Sequence, residues 1–411
     1  METLKSSKMA ILLSCLMGMF FIFPLFAQTS YYIIPGILLL FGLYYMGLNI
    51  KQHQTQMEAS TKILILAFAS YLIVPMLSMF EYHGRLSFLD IPCKALLLLP
   101  ILTIFTRVKL NIHYFIGLFF VACFSIGAGA VIEKFYLHWA DPFMKYNRIT
   151  AGNVAMGIAM LAFSLAIYYY RIKQKGLTLI SSLAFISAFM ASLLCMNRGA
   201  LVGFALGFVA VLWLNRDLLS KKLIAFFVIV AIASGGVAYK VAQSRWNLVD
   251  GEIAQCVDSS HCDTSIGIRL QLYKSALRGM EEKPILGWGV GGTNVMRQQQ
   301  AEEGFISHVA GTYTHAHNIF LEQGSKFGIL GLLSLLSVFL VPMWIFAKNI
   351  KVALNNPLSQ VFGIMGITFI ITIMGCGLTD VLMRHRIGNM FYFTTVILLI
   401  GFQKMTLHKK Q

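Results

Sequence analysis

Charge is scarce in this chain. Asp, Glu, Lys and Arg make up 12% of its 411 residues, against 57% hydrophobic residues, and the mean hydropathy is +0.72. A soluble globular domain carries about a quarter charged residues, so that class is excluded. Acids are the scarcer sign, 17 against 33 Lys and Arg. They form no cluster suited to a metal ion, and no carboxylate pair stands at a spacing that suggests glycoside hydrolysis. No Ser-His-Asp order is visible. No basic domain exists either, so a pI near 9.5 does not point to nucleic acid. No Gly-Lys-Ser/Thr follows the glycine-rich stretch at 287–292, which excludes a Walker loop. No internal repeat relates two halves, which weighs against a repeat-built transporter. No small-residue cleavage site follows the first apolar run, Met9–Ala27, so that run is expected to remain as a span.

What fills the chain is apolar runs of membrane-crossing length. About twelve occur, near 9–27, 31–49, 63–80, 89–106, 112–132, 152–170, 177–195, 199–215, 223–239, 327–347, 360–379 and 389–403. The expected fold is an all-α integral membrane protein with about twelve transmembrane helices and one large periplasmic loop. Residues 1–239 form a bundle of nine spans, 240–314 the loop, and 315–411 the last three spans with a short cytoplasmic tail. Charge placement supports this layout. With the N-terminus inside, the cytoplasmic segments hold 17 of the 33 basic residues and only three acids, leaving +14 there and +2 elsewhere. The basic excess is therefore a topology signal that puts both termini in the cytoplasm.

The loop of about 75 residues is long enough to be functional. Within it, Ile266, Leu270, Tyr273, Leu277 and Met280 repeat at helical spacing. Asp263, Thr264 and Ser265 are candidate caps, and Pro284 bars continuation. The predicted element is an amphipathic helix, acting as a lid on the outer face. Arg269, Lys274, Arg278 and Lys283 decorate it. The stretch Gly287–Gly292 reads first as a tight loop, with a phosphate cradle as the alternative. Five cysteines lie in or beside spans. Cys256 and Cys262 lie in the loop, where an oxidising compartment makes a disulfide the first reading. A metal site with His261 is the poorer one.

The most informative stretch joins this loop to the tenth span. It is His317-Asn318, nine residues, then Gly328-x-x-Gly331. A helix starting near His317 would align residues 317, 321, 324, 328 and 331 on one face, and Gly324 with Gly328 would admit a close neighbour. His317 is then either an interfacial cap or the reactive group of a site at the membrane surface. His315-Ala-His317 makes a poor zinc site, with Glu322 as the sole third ligand in reach. Arg198 stands in an outer hairpin between two apolar runs. It either snorkels to headgroups or clamps an anion, because guanidinium offers paired donors that match phosphate oxygens. Arg269 poses the same choice. Asp90 with Lys94 and Glu322 with Lys326 read as helical ion pairs. Arg384 and Arg386 read as interfacial anchors.

The His317-Asn318…Gly328-x-x-Gly331 pattern resembles the histidine motif of bacterial O-antigen ligases. Asn197-Arg198-Gly199 is similar to that family too. So are Ile268-Arg269-Leu-x-x-Tyr273-x-x-Ala276 and Pro284-Ile-Leu-Gly-Trp-Gly289. The motif matches run from about 195 to 331, and the first half matches only as apolar spans. The same superfamily holds O-antigen polymerases and protein O-oligosaccharyltransferases. The protein O-oligosaccharyltransferase reading is the weaker expectation, because the sequence ends at 411 without a further soluble tail.

The resemblance implies a glycosyltransferase at the periplasmic face of the bacterial inner membrane. The donor would be a polysaccharide on undecaprenyl pyrophosphate, and the acceptor a sugar hydroxyl of lipid A–core. Membrane lipids are the remaining partners, and no cofactor, metal or nucleic acid is expected. His317 would be the catalytic base, or else an imidazolium that binds pyrophosphate. Arg198 and Arg269 would bind pyrophosphate. His315, Asn318, Tyr273, Arg278, Gly328 and Gly331 would support them. The alternatives are an O-antigen polymerase acting on lipid-linked repeat units and, from another class, a transporter or flippase.

Overall fold

The computed structural model describes residues 2–26, 31–54, 56–82, 86–143, 147–218, 263–353 and 355–407. Every regular element among them is helical. The first nine helices are α1 (Glu2–Met19), α2 (Ile33–Lys51), α3 (Ala59–Glu81), α4 (Cys93–Leu97), α5 (Leu102–Arg107), α6 (Ile112–Val131), α7 (Arg148–Arg171), α8 (Lys175–Leu194) and α9 (Arg198–Leu214). Then follow α10 (Ser265–Glu282), α11 (Gly289–Glu302), α12 (His308–Gly311), α13 (Ile319–Val352), α14 (Pro357–Gly377) and α15 (Arg386–Leu407).

Nine helical segments among the described residues are long and apolar enough to cross a membrane. They coincide with nine of the twelve expected runs. A tenth run is α9, whose 17 residues span about 25 Å. The run at 89–106 is not one helix. Pro92 precedes α4, and Pro100 sits in a 3-10 turn, Leu99–Ile101, before α5. Proline brings no N–H to the ladder and clashes with the preceding turn, so an apolar run containing it breaks into pieces. The run at 223–239 lies outside the described residues. So do Cys256, His261, Cys262 and the loop up to residue 262.

Burial ranks the helices. Of the most apolar window of α7, 94% is buried, against 22% for α2, so α7 is central and α2 peripheral. The sequence of α7 explains its place. Small residues such as Ala151, Gly152, Ala155, Gly157, Ala159 and Ala162 let neighbouring backbones approach. α8, α9 and α14 pack around it, and α14 also meets α9, α13 and α15. α13 leans on α3 and carries α10 on its first turns.

α13 holds the main departure from helical regularity. At Gly328 the backbone turns to φ 62°, ψ −155°, and the helix breaks. The strap between α10 and α11 is stitched into the break. Ile329 N donates to Pro284 O at 2.7 Å, and Trp288 N donates to Ser325 O at 3.0 Å. A Cβ at Gly328 would fall on the carbonyl of Ile285. Glycine is required there both for its φ and for this approach. Gly324 and Gly328 do admit a close neighbour, but it is Met280 and the strap rather than another span.

Candidate active site

α10 begins at an N-cap, where the Thr264 side chain accepts from Gly267 N. Its buried face is Gly267, Ile268, Leu272, Ser275, Ala276 and Gly279. This corrects the expected stripe: Leu270 and Leu277 are half exposed. Small residues bring α10 close to α13, and packing distance outweighs the bulk of the leucines. Tyr273 lies between the two faces. Its hydroxyl donates to Leu378 O at 3.1 Å and reaches His317 O at 3.5 Å.

His317 is not on a helix. It sits at φ 51°, in the left-handed region, one residue before the cap of α13. Asn318 is that cap, and its Oδ1 accepts from Phe320 N and Leu321 N. A side-chain cap needs extended backbone at its own position. The helix therefore starts at Ile319, and the expected shared face from His317 to Gly331 does not exist. Asn318 Nδ2 also donates to Leu378 O at 3.2 Å.

The turn at 378–380 is where separated segments meet. Tyr273 and Asn318 bond Leu378. Gly199 abuts Thr379, one residue from Arg198. Asp380 is buried and accepts from Asn153 Nδ2 at 2.9 Å, and Asn153 in turn accepts from Asn197 Nδ2 at 2.7 Å. Asn197 also caps α9 through Gly199 N. The hairpin that bears Arg198 is thus tied to the turn that receives Tyr273 and Asn318. The Arg198 side chain itself is exposed.

Electrostatics set the state of the imidazoles. Burial, then the positive charge of Arg269, push His317 down to about 4. Burial and the neighbouring His317 push His315 down to about 3. The two rings lie 4.2 Å apart between centroids. Both imidazoles are therefore neutral near pH 7. Burial raises Asp380, against the lowering influence of His385, Asn153 and Arg269. The charge of Arg269 thus acts on both His317 and Asp380.

One carboxylate anchors the loop that carries His317. Glu322 Oε2 accepts from Ala316 N at 2.8 Å and from Arg297 Nη2 at 3.2 Å. Its Oε1 faces Lys326 Nζ at 2.6 Å. Arg297, wholly buried, also donates to Tyr313 O, and Arg384 donates to Thr314 O at 3.0 Å. With Arg384 Nη1 4.0 Å from its Oε1, Glu322 forms a cluster with Lys326, Arg297 and Arg384, not a plain helical pair. Arg384 and Arg386 are likewise bound within the protein, Arg386 to Asp90 at 2.9 Å. Arg278 lies away from the histidine. It pairs with Glu282 and Glu303 and stacks on Phe305. Sequence reading missed Arg297, Asn153 and Asp380. Arg297 has no acid three or four residues away, so only the fold reveals its partner.

Comparison with known proteins agrees with the motif placement. Residues 183–336 match the family model described as O-Antigen ligase. A Haemophilus influenzae protein described as uncharacterized is 26% identical over 394 residues, covering 94% of this chain and 97% of the relative. The matched segment contains the Arg198 hairpin, α10 with Arg269 and Tyr273, the His317 turn and the Gly328 break. The segment that carries these motifs is thus similar to the O-antigen ligase family.

Proposed function

We propose that this protein is a metal-independent, inverting glycosyltransferase. It transfers O-antigen polysaccharide from undecaprenyl pyrophosphate to a sugar hydroxyl of lipid A–core. The observation that carries this reading is the placement of His317, held half-buried in a left-handed turn and bordered by Tyr273, where burial and then the charge of Arg269 lower its pKa. An imidazole kept neutral accepts a proton and does not bind phosphate as a cation. The acceptor oxygen attacks the anomeric carbon as His317 takes its proton. The bond from that carbon to the pyrophosphate oxygen breaks, and the electron pair leaves with pyrophosphate. Arg269 and Arg198 meet the growing negative charge, a contribution of several kcal/mol when preorganised. Tyr273 and Asn318 hold the His317 turn against Leu378. The excess of basic residues in alternate loops supports cytoplasmic termini and a site on the periplasmic face of the inner membrane.

The test is reconstitution with a defined lipid-linked donor, offered purified lipid A–core or a second lipid-linked glycan, with products read by mass spectrometry. Polysaccharide on lipid A–core is the expected product. Extension of the lipid-linked glycan alone would make the enzyme a polymerase. His317→Ala should abolish transfer while still inserting, and normal activity in that variant would sink the base assignment.

A further inference from the structure

Between the end of α3 and the strap joining α10 to α11 lies a half-open cavity of about 460 Å³. That volume is within the range of small-ligand sites. None of the residues that border His317 line it. Met79, Phe88, Val290 and Val295 make its walls apolar. α3 is a membrane-length helix, so the cavity sits at the level where a span ends.

Three polar features converge on this apolar space. Lys283 Nζ is held 4.6 Å from the Tyr82 ring centroid and 4.3 Å from that of Trp288. Both rings are fixed, since Tyr82 donates to Gly287 O at 2.8 Å and Trp288 Nε1 to Gly279 O at 3.0 Å. Among the described residues no carboxylate lies within ion-pair reach of Lys283. Ser78 lines the cavity at 1% exposure, and its Oγ has no hydrogen-bond partner among the described residues. A serine inside a helix ordinarily bonds a carbonyl of the preceding turn. Gly291 and Gly292 line the cavity with bare backbone at the start of α11, where the amides of Gly289, Val290 and Gly291 lack intrahelical partners. A cation, a hydroxyl and helix-start amides together suit an anion with several oxygens, and a phosphate fits that description.

We propose that this cavity binds a phosphate-bearing lipid. Its chain lies along Met79, Phe88 and Val295, and its phosphate sits against Lys283, Ser78 and the start of α11. The site does not depend on the transfer chemistry at His317.

Trp288 provides the readout, because brominated acyl chains quench an indole in contact. The purified full-length protein in neutral detergent would be titrated with brominated phosphatidylglycerol and, separately, with brominated diacylglycerol. Saturable quenching by the phosphatidylglycerol, lost in Trp288→Phe, is expected. Lys283→Gln should shift the midpoint at least ten-fold upward, and Lys283→Arg should restore it. Met79→Phe, which narrows the cavity without adding an indole, should weaken quenching of Trp288 while leaving the thermal midpoint near wild type. Equal titration by diacylglycerol, or no shift in Lys283→Gln, overturns the phosphate assignment. Unsaturable quenching overturns the site. Unlabelled polyprenyl phosphate is then added as competitor. Displacement assigns the site to isoprenoid chains, and retention assigns it to glycerophospholipid.

Discussion

At the scale of single residues, the proposed reaction turns on the charge state of His317. Its folded value near 4 lies below the ordinary value near 6.5. A base is lost on protonation, so transfer should hold level from pH 7 down to about 5 and fall with a midpoint near 4. A midpoint near 6.5 in a pH–rate profile would mean an exposed, unperturbed imidazole. Stability follows the same sign. Below about 6.5 the unfolded chain binds protons that folded His315 and His317 refuse, so stability declines as pH falls toward 4. Glu322 is the other residue to test. Glu322→Gln leaves Arg297 and Lys326 buried without their shared anion, at a cost of about 3–5 kcal/mol. A lowered thermal midpoint and reduced kcat should appear together, because the same carboxylate holds Ala316 beside His317. Arg269→Lys should recover only part of the activity lost in Arg269→Ala, since the planar fork is gone.

At the scale of elements, spacing located the motif residues but not how their backbone runs. The His317…Gly328 motif was visible, yet its helix begins two residues later and breaks at Gly328. The Asn318 cap and the strap at 284–288 impose both departures, and neither is a property of periodicity. The buried face of α10 differs from the apolar stripe because it combines Ile268 and Leu272 with the small residues Gly267, Ser275, Ala276 and Gly279. The left-handed φ of Gly328 predicts a large effect from a small change. Gly328→Ala adds strain of about 1–3 kcal/mol and a clash with Ile285. Its thermal midpoint should drop, with loss of activity, whereas Gly304→Ala has open space and should show strain alone.

At the scale of the whole molecule, hydropathy and charge made most of the bundle legible, because a bilayer admits few solutions for apolar runs. The pieces at 93–107 escaped that reading, since prolines reshape an apolar run without changing its hydropathy. Convergence on 378–380 was illegible, because it joins positions from 60 to 227 residues apart. Topology can be measured directly. A cysteine placed at Glu303 should react with an impermeant reagent from the periplasmic side, and one at Lys175 only after the inner membrane is opened. The reverse pattern would place the site in the cytosol.

The left-handed turn at position 317 carries one more consequence. Glycine adopts that conformation without penalty, so His317→Gly should preserve the loop better than His317→Ala. It also leaves a gap shaped like the missing ring. Free imidazole added to that variant should restore measurable turnover, rising with imidazole concentration, while the alanine variant should respond less.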